Sequence, residues 1–458
     1  MKRIFAASLC TTLLASSLLA GTASAKSNID VKKYSVSVNS HLFAPAHDSV
    51  SDVFPYGFVG GFGSALAFKS YDKKTGEYEF YALTDRGPNG DAPTYLENGQ
   101  ASASKYFLSP AFKPQIGILK IKKGKAQINE SIKLKNKNNS YITGLPIAPG
   151  KTGSSLEIPL LPTMEKLNYD PNGMDPEGIA VDKQGDFWIS DEYGPFIAKF
   201  SNKGQLVQKL QPGNGLPEIL KYRIPNRGME GLSISPSGKV FSSVQSILDI
   251  NGETNNALFT RIVVFDPKSN KTKMYAYPVN MSKFKKAMDL KIGDIFAVSD
   301  KQLLVIEQGK DINGEMRNVI NLVDLTKATD LTNKKVNGKE LETINDPAEL
   351  KKLNIQMAST KEILNLREHG WDMEKAEGLT LLPDRKTLAI VNDNDFGVAV
   401  STDNGEKITD LSYDSLTKKW TLDSKEIPTN VKFSANSPTE RKNVVWLFTI
   451  PELTKLLK

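Results

Sequence analysis

The sequence predicts an all-β protein of the β-propeller class, with six blades expected within a range of five to seven and loop or helical insertions between them. Three observations carry this. An apolar run, a turn and a second apolar run recur five times along the chain. Most of these hairpins are followed by two further strand-like runs, so the repeated unit is four antiparallel strands. Acidic residues stand at the open ends of the hairpins, where a hairpin needs nothing acidic to fold. Repeated four-stranded antiparallel units point to radial closure into a propeller before they point to a sandwich.

In chain order, Met1–Ala25 reads as a secretory signal. Lys2 and Arg3 give a basic start, Ile4–Ala20 is apolar or small, and Ala23-Ser24-Ala25 offers a cleavage site before Lys26. The apolar core is short for a membrane span. The 458-residue chain thereby leaves 433 residues, expected to form a single propeller domain over 26–458. Cys10, the only cysteine, falls in the signal, which excludes disulfides, a cysteine nucleophile and thiolate metal sites from the mature chain. The expectation is an exported, periplasmic or extracellular monomer with no membrane association once the signal is removed. The net charge of +7 falls to +5 without Lys2 and Arg3, and the lysines are spread out. The densest cluster, Lys133–Lys137 (KLKNK), has no basic helix or aromatic platform beside it, so no nucleic-acid partner is expected. A mildly basic exterior suits a small anionic substrate.

Alternation at Tyr34, Val36 and Val38 predicts a lone strand. Gly63–Phe68 and Tyr78–Leu83 form the first hairpin, followed by Asp85 and by strands at Gln115–Lys122 and Ala126–Leu134. Asn136–Asn172 is a long connection, of the kind that is functional or disordered in a compact domain. Glu177–Gly194 (EGIAVDKQGDFWISDEYG) is the clearest hairpin, with strands following at Phe196–Ser201 and Gln205–Leu210. Another begins at Glu230 (EGLSIS, then VFSSVQS), with strands at Thr260–Asp266 and Lys273–Pro278. The next begins at Asp294 (DIFAVS, then LLVIEQG) and ends near Glu307. Ala328–Arg367 reads as a partly helical insertion. The last hairpin begins at Glu377 (EGLTLL, then TLAIVNDND) and carries Asp393 and Asp395. Val444–Ile450 is a final strand and Pro451–Lys458 a short helix. Tyr34–Val38 and Val444–Ile450 are expected to share a closing blade, which raises the count from five to six.

The start of one antiparallel strand lies beside the end of the next. The first-strand starts are Ser64, Glu177, Glu230, Asp294 and Glu377, and the second-strand ends carry Asp85, Asp191, Glu192, Gln245, Glu307 and Asp393. Around one axis these predict a ring of carboxylates at one channel mouth. Such a ring repels itself, and burial raises its pKa values. A hard divalent cation relieves both, and Ca²⁺ accepts roughly 6–8 oxygen ligands in loose geometry. Three histidines and no mature cysteine argue against structural zinc. The expected metal ligands are Glu177, Glu230 and Glu377, with Asp85, Asp191, Glu192, Glu307 and Asp393 as ligands or their support. The bland alternative is that these acids bond the backbone of a neighbouring blade and that Glu-Gly serves a bend. A glycine after each glutamate lets the backbone approach a neighbour or a ligand.

Other features are weaker. Asp311–Glu315 and Asp249–Glu253 resemble pieces of calcium loops, yet Asx-Gly is foremost turn chemistry. GFGSA around Ser64 lacks the order of a nucleophile elbow. His369 reads as a surface or packing residue. Arg86, Arg227 and Arg317 flank the motifs, and a guanidinium beside a metal is what phosphate recognition uses.

TDRGPNGD (Thr84–Asp91), MDPEGIAV (Met174–Val181), WISDEYGPFIAKF (Trp188–Phe200), NRGMEGLSIS (Asn226–Ser235) and AEGLTLLPD (Ala376–Asp384) together resemble the exported phytase-like propellers credited with esterase-like activity. The resemblance spans Gly60–Phe396. It implies a six- or seven-bladed propeller whose acidic centre binds metal, calcium in particular, and hydrolyses phosphate esters. The signature motifs of the alkaline phytases of bacilli are not found, nor is R-H-G-x-R-x-P, so the resemblance supports a hydrolase of ester bonds better than a phytase. On this reading the protein is a calcium-dependent phosphoesterase with Glu177, Glu230, Glu377, Asp191 and Arg86 as its catalytic centre. Arg86 and Arg227 would hold the phosphate. A calcium-dependent lactonase or carboxylesterase would keep the acids and need no arginine clamp. A non-catalytic binding propeller would keep calcium as a structural ion.

Overall fold

In the computed structural model residues 29–457 are described; the expected signal, Met1–Ala25, lies outside the described residues. The hairpins fold where the paired apolar runs place them, and each recruits two more strands. The first unit comprises Ala65–Asp72, Glu77–Leu83, Gln115–Lys122 and Lys125–Lys133. The second comprises Pro176–Val181, Phe187–Asp191, Phe196–Phe200 and Leu206–Pro212. The third comprises Met229–Ile234, Val240–Val244, Phe259–Asp266 and Lys271–Pro278. The fourth comprises Lys291–Ala297, Gln302–Lys310, Met316–Asp324 and Ser359–Asn365. Gly378–Leu381 and Thr387–Val391 open the fifth.

The fifth unit brings the count to five, the low end of the expected five to seven. The chain after Thr387–Val391 leaves for another part of the molecule, so the hairpin takes its outer strands from the two ends of the chain. Val444–Thr449 pairs with Thr387–Val391, and Asp30–Ser35 of the N-terminal strand pairs antiparallel with Val444–Thr449. The two strands thus complete the Glu377 hairpin and form no blade of their own. The same N-terminal strand runs on as Val36–Val38, parallel to Ala126–Ile128 of the first unit. Five such units are found among the described residues, and their first strands pack in a closed cycle from the first unit round to the fifth and back.

Five apolar clusters fill the five interfaces. Ile179, Phe187 and Ile189 meet Leu83 and Ile116 between the second and first units, and Trp188 meets Val240 and Phe259 between the second and third. Phe241 and Tyr277 meet Ile295 and Val305, then Leu304 and Ile320 meet Leu388 and Trp446. Phe80 and Leu119 meet Val445 and Leu447 across the closing seam. Strands buried on both faces read as continuous apolar runs, which is what made the hairpins visible in the sequence.

Insertions build a sixth cluster, not anticipated, beside the channel. Asn89–Asp91, Ser104–Phe107 and Ile158–Leu160 form one small sheet, Val398–Thr402 pairs with Val431–Ala435, and Ser412–Asp414 pairs with Thr94–Glu97. Phe54, Phe58, Tyr106, Phe112, Phe396 and Tyr413 pack between them. The segment expected as a helical insertion holds a single short α-helix, Pro347–Lys352, capped by Asp346 at 2.8 Å from the Ala348 N–H. Its end, Ser359–Asn365, is the fourth strand of the fourth unit. Glu342 in that insertion is buried against Arg261 of the third unit in a two-point ion pair of 2.6 and 2.9 Å.

Three of the first strands begin with a register shift: between Pro176 and Gly178, between Met229 and Leu232, and between Ile292 and Ile295. A bulge of this kind re-aims the extra side chain. The glycines that follow Glu177 and Glu230 serve the neighbouring strand. A Cβ on Gly178 would lie 2.5 Å from the Leu232 nitrogen and 2.7 Å from the Glu230 carbonyl oxygen, and one on Gly231 would lie 2.6 Å from Asp294 Cα. Gly231→Ala is therefore expected to destabilise the fold by about 1–3 kcal/mol through overpacking. The check is the denaturant midpoint of the variant against wild type; an unchanged midpoint would mean that the inner strands are free to spread.

Candidate functional site

Where the first strands start, the channel opens into a cavity of about 520 Å³. Its lining includes Asp85, Asp91, Asp175, Glu177, Glu192, Glu230, Glu377, Asp393 and Asp395, together with Arg86, Lys105, Arg227, Lys291 and Lys375. The bulges deliver Glu177 and Glu230 to this mouth. Glu230 is further fixed by the Ser190 hydroxyl, which donates to its backbone carbonyl across the unit boundary. Gln245 donates at 3.0 Å to both Glu192 and Glu230, so one amide bridges two carboxylates. Gln308 donates to Glu377 alone, at 3.2 Å.

Two groups of three carboxylates have oxygens within 4.8 Å of one another: Asp175 with Glu177 and Glu192, and Asp85 with Asp393 and Asp395. Glu177 is only 8% exposed and makes no hydrogen bond or ion pair among the described residues. Burial, and then Asp175 and Glu230, push its carboxyl well above the usual range. Burial and Glu192 do the same to Glu230, and burial and Asp393 to Asp85. Glu377 is pushed up to about 7 by burial, against the pull of Lys375. Two acids run the other way: burial would raise Asp395, but the Lys375 ammonium holds it below the ordinary value, and Lys105 does the same to Asp91.

Of the residues expected at the mouth, Asp85, Arg86, Glu177, Glu192, Arg227, Glu230, Glu377 and Asp393 all line the cavity. Two others do not. Glu307 faces away, accepting from Tyr277 Oη at 2.8 Å and pairing with Arg317 at 3.3 Å. Successive side chains of a strand alternate, so it is the next residue, Gln308, that points to Glu377. Asp191 lies behind the wall, fully buried. Its Oδ1 accepts the backbone N–H groups of Asp175 and Tyr193, each at 3.0 Å, while its Oδ2 has no hydrogen-bond partner. Burial pushes it up to about 7. Asp191 thus holds the backbone beside Asp175 and Glu192 in place.

Arg86 is already engaged: its Nε lies 3.2 Å from Asp175 and its Nη1 3.4 Å from Glu157. Arg227 lines the cavity and donates to the Met288 carbonyl at 2.6 Å through Nη1. Asp294 realises the bland alternative, accepting the Leu379 N–H of the next unit at 2.7 Å. Asp311 and Asp249 make Asx turns, accepting from Asn313 at 2.8 Å and Gly252 at 2.7 Å. His369 packs its ring against Phe448. The sequence reading missed Asp175, Lys375 and the inserted residues Asn89, Asp91 and Lys105. The MDPEG motif held Asp175 in plain view, two residues before Glu177.

The phytase-like family, described by the esterase-like activity of phytase, matches residues 58–396. The chain belongs to the phytase-like family. An uncharacterised secreted protein of Arthroderma benhamiae is 28% identical over 242 residues, 42% of this chain and 46% of that protein, so the chain spans under half the length of that relative. Among solved structures, a Lactobacillus plantarum protein is 12% identical with a TM-score of 0.30, covering 80% of this chain and 98% of that one. The virginiamycin B lyase of Staphylococcus aureus is 9% identical with a TM-score of 0.29, covering 92% of this chain and all of that one. Among the described residues no helix is long and apolar enough to cross a membrane.

The raised carboxyls give a signed prediction for the chelated protein. A folded-state pKa above the unfolded value means that the folded chain binds more protons, so stability falls as pH rises from about 4.5 through the folded value. For Glu377, moving from 4.5 to about 7, the loss is on the order of 3 kcal/mol. The melting temperature of chelated protein is expected to fall between about pH 5 and pH 8, with Glu377→Gln flattening part of that fall. Thermal melts at fixed ionic strength check it; a rise over the same range would contradict the burial of these groups as acids.

Proposed function

We propose that this phytase-like chain is an exported, calcium-dependent hydrolase of phosphate esters, working at the carboxylate mouth of the propeller. The observation that carries the reading is Glu177, a buried carboxylate without a partner, held within 4.8 Å of Asp175 and Glu192 oxygens. Oxygen donors alone, crowded and with only Asp175 facing a cation, Arg86, fit a hard divalent cation. Asp175, Glu177 and Glu192 would hold it, with Glu230 adjoining through Gln245. A bound cation there supplies charge to offset the ester phosphate and to acidify a water.

The chain's own groups do the rest. Arg227 presents guanidinium donors at the cavity wall, where they can orient phosphate oxygens. Glu377, poised near neutral pH, is the carboxylate suited to take a proton from an attacking water. Arg86, spent on Asp175 and Glu157, acts as a brace for the ligand group instead of a phosphate clamp. Asp191 keeps the backbone N–H groups beside that group fixed.

Arg86's engagement favours one second reading, a calcium-dependent lactonase or carboxylesterase, which would use the same acids without an arginine clamp. Export rests on the signal-like start of the sequence and on the secreted relative.

The deciding experiment is phosphate release from a panel of phosphomonoesters and diesters, with calcium and with chelator. Calcium-dependent release is expected, falling at least about 100-fold in Glu230→Gln and at least about tenfold in kcat/KM in Arg227→Ala, about 1.4 kcal/mol for the latter. Turnover of lactones or carboxylesters, unaffected by Arg227→Ala and without phosphate release, would replace the first reading with the second.

A further inference from the structure

The two carboxylate groups look alike as sets of ligands, yet they are neutralised differently. Lys375 reaches into one of them. Its Nζ lies 2.8 Å from Asp395 Oδ1, 2.9 Å from Asp393 Oδ2 and 3.6 Å from Glu377 Oε2. An ammonium has three donors and no acceptor; here it donates to Asp393 and Asp395, with Glu377 close by as a third counter-charge. The position is fixed by the chain: the Ala376 N–H donates to Gln308 Oε1 at 2.9 Å, anchoring the residue that follows. Asp393 is pinned in turn, its Oδ1 accepting the Asp395 N–H at 3.0 Å.

The other group has no such cation at its centre. Arg86 touches Asp175 alone and divides its charge with Glu157. Glu192 accepts from the neutral amide of Gln245. Glu177 accepts from nothing among the described residues. Two of these three carboxylates therefore lack a cationic partner, whereas two of the three in the first group share one. An ammonium and a divalent ion cannot use the same oxygens together, because each needs them in contact and the two cations repel.

We propose that Lys375 is a built-in cation that closes the Asp85–Asp393–Asp395 group to metal, so that the cavity takes one divalent ion, at Asp175–Glu177–Glu192. This rests on the metal reading of the site and makes Lys375 the residue that sets its stoichiometry. A site of this kind opposes one mobile and one fixed cation across a single mouth.

The test is the number of calcium ions bound per chain, measured by calorimetric titration or equilibrium dialysis of the chelator-treated, signal-free protein. Wild type is expected to bind one ion, Lys375→Met two, and Lys375→Arg one. Two ions in wild type, or one in both wild type and Lys375→Met, would overturn the proposal and leave the metal reading standing. No uptake by any of them would sink the metal reading and this proposal with it. Should Lys375→Met fail to fold, two other variants decide. Asp393→Asn must keep the single ion and Glu177→Gln must lose it, and the reverse pattern would overturn the assignment.

Discussion

Like-charge repulsion in one confined space is the constraint on which this structure turns. Nine carboxylates and five cationic side chains line a single cavity. Confinement raises the cost of each ionised acid, since burial and neighbouring carboxylates both disfavour the charged form. Such a ring persists only where geometry fixes it or counter-charge offsets it, and the molecule uses both. The Gln245 amide bridges two acids and the Gln308 amide holds a third, neither adding charge. Arg86 and Lys375 add charge at two places. The inner-strand bulges decide which side chains the cavity receives at all.

That geometry follows from propeller closure. The first strands approach so closely that a Cβ at Gly178 or Gly231 would strike the backbone of the next unit. Five apolar interfaces press the units together, and the N-terminal strand fastens the last unit to the first. Stability and site are therefore one arrangement: the contacts that shut the channel are those that bring its acids within ligand distance. The site is destabilised where the core is stabilised, a familiar division between a scaffold and the strained centre it holds.

Much of this was legible in the sequence, and the failures have physical reasons. The hairpins showed because strands buried on both faces leave continuous apolar runs. Glu177, Glu230 and Glu377 showed because each stands at the head of such a run before a glycine. The blade count was legible only as a range because completion of the fifth unit depends on where the two terminal strands meet, which no local pattern records. Glu307 was taken for Gln308 because a strand's facing alternates at every residue, and the bulge opposite it at Ile292–Ile295 shifts the register in a way that hydropathy does not mark. Lys375 was invisible as one of many dispersed lysines. The small sheets beside the mouth have strands of two to five residues, too short to alternate visibly.

The charge balance also orders the events that the proposed chemistry would need. With its acids ionised, the cavity carries four more negative than positive side chains, counting nine carboxylates against five cations. An anionic ester approaching that surface meets repulsion of the kind that, second to burial, lifts Glu177 and Glu230 out of the ordinary carboxylate range. A divalent ion placed first removes half of the excess and leaves Arg227 and Lys375 facing a smaller opposing field. Cation before substrate is thus the sequence that the electrostatics favour. A substrate carrying many phosphates would be penalised most, since each added anion meets the residual charge, whereas a monoester brings the least. On the proposed reading, the same asymmetry that suits the mouth to a metal favours a modestly charged ester as substrate.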